Sequence, residues 1–597
     1  MDMGGMKRIN SLKVLEGIQR VVRRHENACA LIALALAALV LHHSALNAFW
    51  RFDDGAHLLF AATYAPWQYF LQPSVTILQS YANVAPYNAF FYDVNLALFG
   101  MAPRWHYAHQ IALLGAVAFA TYRLIRVWQE PLIALLAAAL FLTGLPTLYV
   151  AQQLMTGHYA TGLLFTVLSL HCYTLGVRDG NLRLNLLGAA LYLLATSCKE
   201  VFVPLVLLLP FLPVGSLKVR VRAALPYVAV AAVYTAWRYA ILGRLMGGYV
   251  AVDISPVEQF RQLLTIPVLL AGWTKGDDVV LFFGMRSGLN LAAFAVVMSL
   301  GFMAAYRRRL SWMLIFAALA LLVLPLVPLT RFPGLNTADR YLFLLWWACA
   351  VLLAIFVSSF KKHGFEAPFR FACFAVLTGL TWLAQRAEHE RISPQLAMQD
   401  RLYQAVLHVD DNTALLLPPD RSYYNTVLAG ARQTARQLVD GSLKPAKLIV
   451  DSTSLCAFAK AGNTVLIYEE TCNCMRDVTQ NMDESLAKLN SFADHAVPGK
   501  PLGVALSLDH QLLSWKFGPY EDGSYSVLLD GTPTKVPASG SVSYASKLPL
   551  RFRIRHDAKD GTIAISPGLE FDGAIHPSFA WNGVSEAIRP SCETGLN

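Results

Sequence analysis

Leu31-Ile-Ala-Leu-Ala-Leu-Ala-Ala-Leu-Val40 lies within an apolar run that ends in Trp50-Arg51-Phe52-Asp53-Asp54-Gly55-Ala56-His57. The run covers roughly 28–49, long enough to cross a bilayer as a helix. Two Asp at the centre of a spanning helix would cost on the order of 5–7 kcal/mol on the insertion scale. The acidic pair therefore belongs at or beyond the interface, which puts two carboxylates fit for acid/base chemistry at a membrane surface.

Before the run come Lys7, Arg8, Lys13, Arg20, Arg23 and Arg24. This leading region is too long, and the run too extended, for a cleaved signal peptide. Residues 1–27 are expected to be a cytoplasmic N-terminus and the run a retained helix. Further apolar runs lie near 106–122, 131–149, 158–176, 185–197, 201–216, 224–241, 287–305, 311–329, 341–359 and 369–385, for about eleven spans in all. The composition agrees: 55% of the 597 residues are hydrophobic, only 15% are charged, and the mean hydropathy is +0.43. A soluble globular protein of this length is not so apolar.

Basic clusters at Arg123/Arg126, Arg178/Arg183, Lys218/Arg220/Arg222, Arg307–Arg309 and Lys361/Lys362 all fall on the side of the N-terminus in this count. By the positive-inside rule that side is cytoplasmic, and the odd number of spans exports the C-terminus. Residues 256–273 precede another apolar run with no basic loop between, and read as an outer-face interfacial or re-entrant helix. The net charge of +10 is spread over short loops and forms no continuous patch, so it reflects topology and not nucleic-acid binding.

Residues 386–597 are ordinary in composition. Helix-like segments (392–409, 423–441) alternate with short strand-like ones (414–417, 448–450), and from about 500 onward runs such as Arg551-Phe-Arg-Ile-Arg555 alternate as in a β-sandwich. The expected fold is a polytopic α-helical membrane protein of about eleven spans, N-in and C-out, with a transmembrane domain at 28–385 and a C-terminal soluble α/β plus β-sandwich domain. Of nine cysteines, Cys456, Cys472, Cys474 and Cys592 lie in the exported domain. An oxidising compartment favours disulfides among them, with three pairings open.

Projected onto this topology, the polar motifs converge on the outer face. Asp53-Asp54 opens a long aromatic loop at about 50–105. Gly157-His158 lies between the third and fourth spans, Lys199-Glu200 between the fifth and sixth, and Arg331 and Asp339-Arg340 just before the tenth. Asp53 or Asp54 could serve as a helix N-cap before Gly-Ala-His, but a cap uses one carboxylate and leaves the other unexplained. His57, three and four residues on, either bonds a neighbouring carboxylate or joins both Asp in a metal site. Lys199 can face an anion with Glu200 orienting it, or the two can form an internal ion pair. Arg340 can snorkel to headgroups or grip a phosphate with two hydrogen bonds.

Together these residues resemble the GT-C superfamily of integral-membrane glycosyltransferases, in particular protein O-mannosyltransferase-like and related polyprenyl-phosphate-sugar enzymes. Asp53-Asp54 matches an acidic pair in the first extracytoplasmic loop. Ser197-Cys-Lys-Glu200 is similar to a Ser-Lys-Glu motif with one residue inserted, and Ala338-Asp-Arg-Tyr341-Leu-Phe343 to a Glu-Arg-Tyr-Leu-Tyr segment. Pro146 through Gly157-His158 is similar to a Pro-to-Gly-Arg stretch, with His158 where the family has Arg.

The resemblance implies an inverting enzyme that moves a sugar from a polyprenyl monophosphate to a hydroxyl of an envelope acceptor, either a protein such as pilin or a lipopolysaccharide or other glycan. Asp53 and Asp54 would be the base and its orienting partner, in either order. Lys199, Arg340 and Arg331 would bind the donor phosphate, with Glu200, His57, His158, Asp339 and Tyr341 in support. The resemblance fixes no cofactor and leaves a divalent metal open. A bacterial inner membrane is expected, with site and C-terminal domain facing the periplasm. The rival reading is a secondary transporter or flippase that uses the carboxylates and the Lys-Glu pair as ion relays. The clustering of charges at one face, and not at mid-membrane, weighs against it.

Overall fold

A computed structural model describes residues 25–80, 82–243, 245, 256–257, 340–358, 366–408, 413–416, 424–440, 448–449, 463–469, 471–472, 474–479, 495–509, 512–529, 532–543, 549–573 and 576–586. The spans expected at 287–305 and 311–329, most of 256–273, Arg331 and Asp339 lie outside them. The first part of the chain is helical: α1 (Glu26–His42, continued by a 3-10 turn His43–Asn47), α2 (Asp54–Thr63), α3 (Pro66–Leu71), α4 (Pro73–Gln79), α5 (Tyr87–Phe99), α6 (Pro103–Ile125), α7 (Pro131–Leu142), α8 (Leu145–Ala151), α9 (Gly157–Arg178), α10 (Leu182–Cys198), α11 (Leu217–Leu242), α12 (Phe343–Ser358) and α13 (Glu366–His408).

Among the described residues six helices are long and apolar enough to cross a membrane, or seven with α7 and α8 taken as one span bent by 58°. With the composition, this makes the chain a multi-pass membrane protein. The run read as one span at 131–149 is that bent pair. Thr143 and Gly144 break it, and the Gln385 amide donates to the Leu142 and Gly144 carbonyls, both at 3.1 Å. The apolar run at 201–216 is wound as 3-10 turns, Glu200–Leu207 and Leu209–Phe211, with Pro204 inside the first.

Local sequence explains most helix starts. Pro stands in the first turn of α3, α4, α6 and α7, where its missing N–H costs nothing. Asn181 caps α10, its side-chain oxygen accepting from Arg183 N at 3.0 Å and Leu184 N at 3.2 Å. In the bundle α6 packs on α1, α7 and α9, α10 packs between α9 and α11, and α12 lies on α7. Outer faces stay apolar: Ile32, Leu36 and Val40 of α1 and Leu182, Leu186 and Leu187 of α10 are exposed, a face that hydrocarbon covers more cheaply than water.

The two ends of the bundle differ in charge. Arg126, at the end of α6, pairs with Glu26 at the start of α1 at 2.6 Å, and Arg220 at the start of α11 gives its carbonyl to the Tyr173 hydroxyl at 2.9 Å. Arg123, Arg178, Arg183 and Lys218 share that end by sequence position on the same helices. The acidic pair and Lys199 belong to the opposite helix ends.

α13 runs unbroken for 43 residues, so the boundary expected at 385–386 falls inside one helix, and the separate helix expected at 392–409 is its C-terminal part. Beyond it, β1 (Thr413–Leu416), α14 (Tyr424–Asp440), β2 (Leu448–Ile449), β3 (Thr464–Glu469) and β4 (Cys474–Asp477) build a small sheet of order β2-β1-β3-β4, parallel except for β4. Cys472 and Cys474 are joined as a disulfide. Cys456 and Cys592 lie outside the described residues.

The last part is the expected sandwich. One sheet, β11-β10-β7-β8 with β12 beside β10, faces another, β13-β5-β6-β9. The strands are β5 (Pro501–Asp509), β6 (Leu512–Gly518), β7 (Ser524–Leu529), β8 (Thr532–Val536), β9 (Ser539–Ser543), β10 (Leu550–Asp557), β11 (Ile563–Ile565), β12 (Leu569–Phe571) and β13 (Ser578–Val584). Alternate residues Leu502, Val504, Leu506, Trp515 and Phe517 pack against Tyr525, Phe552, Ile554 and Phe571 of the other sheet.

Candidate active site

The acidic pair occupies a tight turn between the 3-10 end of α1 and the start of α2. Asp54 N donates to the Arg51 carbonyl at 3.0 Å, and Ala56 N and His57 N donate to the Asp53 carbonyl at 3.0 and 3.1 Å. Phe52 adopts φ +48°, a left-handed conformation that costs a bulky L-residue roughly 1–2 kcal/mol and must be held by its surroundings. Asp53 sits at the N-cap position of α2, but its side chain makes no capping bond.

The two carboxylates have different environments. Asp54 is fully buried. One of its oxygens accepts from Arg51 N at 2.7 Å, the other from the Tyr92 hydroxyl at 2.6 Å. Burial pushes its pKa up to about 7, against the pull of the Tyr92 and Arg51 hydrogen bonds. Asp53 is only half-buried.

The turn is clamped by the far end of α13. The Asp400 carboxylate takes the Arg51 guanidinium through two bonds of 2.6 and 2.7 Å and Phe49 N at 3.1 Å. Gln399 Oε1 accepts from Phe52 N. The buried Tyr403 hydroxyl donates to the Phe52 carbonyl at 2.7 Å and accepts from Gly55 N at 3.0 Å. Arg51 also donates to Gln152 Oε1 at 2.8 Å, tying the turn to the end of α8. None of Tyr92, Gln399, Asp400 and Tyr403 stands out in the sequence. The only hint was Arg51, a cation beside two acids with a third partner to be found.

Around His57 the structure gathers four other residues singled out by sequence, Asp53, Lys199, Arg340 and His158. His57 stacks on Tyr92 with ring centroids 5.3 Å apart, and its Nε2 lies 3.4 Å from the Asn88 side-chain nitrogen. Burial pushes the His57 pKa below its usual range. Asp53 opposes that shift, and the Lys199 and Arg340 charges reinforce it, so all three groups act on one imidazole. Lys199, buried where the chain breaks between α10 and the following 3-10 turn, has its ammonium 5.7 Å over the Tyr159 ring. Arg340 opens the 3-10 turn before α12, its guanidinium 4.8 Å over the Tyr341 ring. His158 is buried within reach of the Lys199, His57 and Arg340 groups. Gly157 before it is required sterically: a Cβ would meet the Phe91 ring at 2.4 Å.

Glu200 has a further partner on a distant helix. Its carboxylate pairs with Arg238 of α11 and accepts from Val84 N at 2.8 Å. Arg238 also donates to the Ala82 carbonyl at 3.2 Å, and the Tyr234 hydroxyl to the Val84 carbonyl at 2.8 Å. The pair fastens the loop at 82–84 to α11. Among the described residues no group of three His, Cys, Asp or Glu side chains is placed to hold a metal ion.

A half-buried carboxylate and two cations thus lie close enough to one imidazole to act on it, and groups of these types can take a proton and hold an anion.

No protein-family profile matches the chain, nor does any curated protein sequence. Among solved structures it is similar to an oligosaccharyltransferase of Archaeoglobus fulgidus crystallised with Zn and sulfate, at 13% identity and a TM-score of 0.44, covering 82% of this chain and 72% of that one. It is also similar to the archaeal oligosaccharyltransferase AglB of the same organism, in complex with an inhibitory peptide and a dolichol-phosphate, at 8% identity and a TM-score of 0.42, covering 93% of this chain and 98% of that one.

Proposed function

We propose that the chain is an inverting glycosyltransferase of GT-C type, moving a sugar from a polyprenyl monophosphate to a hydroxyl of an envelope protein or glycan. The observation that carries this reading is the shared neighbourhood of Asp53, Lys199 and Arg340 around His57, at the bundle end away from the Glu26–Arg126 pair. Asp53 is the base and Asp54 the structural acid, because both oxygens of Asp54 are engaged within a buried turn.

In the reaction the acceptor oxygen attacks the anomeric carbon from the face opposite the phosphate. The bond from that carbon to the phosphate oxygen breaks, the acceptor proton passes to Asp53, and polyprenyl phosphate leaves with the bond's electrons. Lys199 and Arg340 balance the charge gathering on the leaving phosphate, so no acid is needed there. A lipid-borne donor accounts for a site built at the mouth of a membrane bundle. The orientation is N-in with about eleven spans, the site and the C-terminal domain lying outside the cytoplasm, in a bacterium the periplasm.

The test is transfer from a panel of radiolabelled polyprenyl-phosphate sugars to envelope fractions, by membranes carrying wild type, Asp53→Asn or Asp54→Asn at equal expression. Transfer by wild type that Asp53→Asn abolishes supports the reading. Equal transfer by all three clears the carboxylates, and no transfer from any donor moves the weight to a transporter.

A further inference from the structure

Gln399, Asp400 and Tyr403 lie on one face of α13, one and four residues apart. Between them they accept from the backbone N–H groups of Phe49, Phe52 and Gly55, donate to the Phe52 carbonyl, and hold the Arg51 guanidinium at two points. Within itself the turn has the bonds of Asp54 to Arg51 and the first bonds of α2. With Phe52 at φ +48° these by themselves are too few to hold a single geometry. The Tyr403 hydroxyl spans the turn, bonding Phe52 on one side and Gly55 on the other. Asp53 lies between the two residues it pins.

We propose that this face of α13 is the template that sets the position of Asp53, and that Tyr403 is a positioning residue for sugar transfer, an inference that rests on the glycosyltransferase reading. α13 begins among the apolar spans and ends at the sheet of the C-terminal domain. α14 of that domain packs on both α13 and α2, and Gln437 donates to the Ala62 carbonyl at 2.8 Å. The C-terminal domain is therefore part of what shapes the acidic turn, beyond any part it takes in choosing an acceptor. A reacting pair displaced by about 1 Å loses on the order of a hundredfold in rate, so the template need only shift slightly to matter.

Tyr403→Phe removes one oxygen and keeps the buried ring. Asp400→Asn keeps the volume and one acceptor while weakening the hold on Arg51. Both full-length variants, purified in detergent beside wild type, are compared by hydrogen exchange of peptides covering 49–57 and by kcat and donor KM. The expected result is exchange at least tenfold faster in 49–57 but unchanged in 103–125, with kcat about ten- to a hundredfold lower and donor KM within about twofold, since the bonds of Asp400 and Tyr403 go to the acidic turn. Unchanged exchange in 49–57 overturns the template. Faster exchange with wild-type kcat overturns the positioning role. If wild type transfers no sugar from any donor, the glycosyltransferase reading fails and the catalytic half of the inference with it, while exchange alone still decides the template.

Discussion

Gly430 of α14 packs directly against the carbonyl of Gly55 in α2, so closely that a Cβ at position 430 would lie 2.5 Å from that oxygen. The atom it would meet is backbone and cannot rotate away, so any side chain there must part the two helices. Gly430→Ala is expected to cost about 1–3 kcal/mol through this overpacking and to lower transfer with little change in donor KM. Thermal melting in detergent together with initial rates checks both effects.

The unequal surroundings of the acidic pair separate their variants. Asp53→Asn removes the proton acceptor and is expected to lower kcat by about a hundred- to ten-thousandfold, the usual yield of a general base. Asp54→Asn keeps a side chain able to accept one of the two hydrogen bonds and is expected to lose about tenfold or less. Single-turnover rates at saturating donor decide between them, and a deeper loss in Asp54→Asn would reverse the assignment.

Asp54 also makes stability depend on pH. Its folded pKa of about 7 lies above the ordinary value of 3.8, so between about pH 4 and 7 the native state keeps a proton the unfolded chain has released. Stability should therefore fall as pH rises through that window and level off above it, by a few kcal/mol at most. Melting midpoints from pH 4 to 8 should show this slope in wild type and a flatter one in Asp54→Asn.

Lys199 and Glu200 are neighbours whose variants should behave differently. Lys199→Gln is expected to weaken donor use at least tenfold with little change in melting. Glu200→Gln leaves the Arg238 guanidinium buried without its carboxylate, at a cost of about 2–3 kcal/mol, below the fully buried range because the Glu200 side chain is 23% exposed. Glu200→Gln with Arg238→Gln should recover part of that loss. A double-mutant cycle on melting midpoints measures it.

The sequence by itself determined the class of molecule. Hydropathy marked the long spans and period-two alternation marked the sandwich strands, because each signal is written within a window of one element. It also picked out Asp53-Asp54, Lys199, Arg340, His57 and His158, since charged and imidazole side chains at the ends of apolar runs stand out against their surroundings. Only the tertiary structure decided which carboxylate is buried, that Glu200 serves Arg238, and that one face of α13 holds the acidic turn. Tyr403 and Gly55 are 348 residues apart, and Tyr403 is one hydroxyl on an otherwise ordinary helix. A contact of that kind leaves no local pattern, because it depends on where long-range packing brings two elements together.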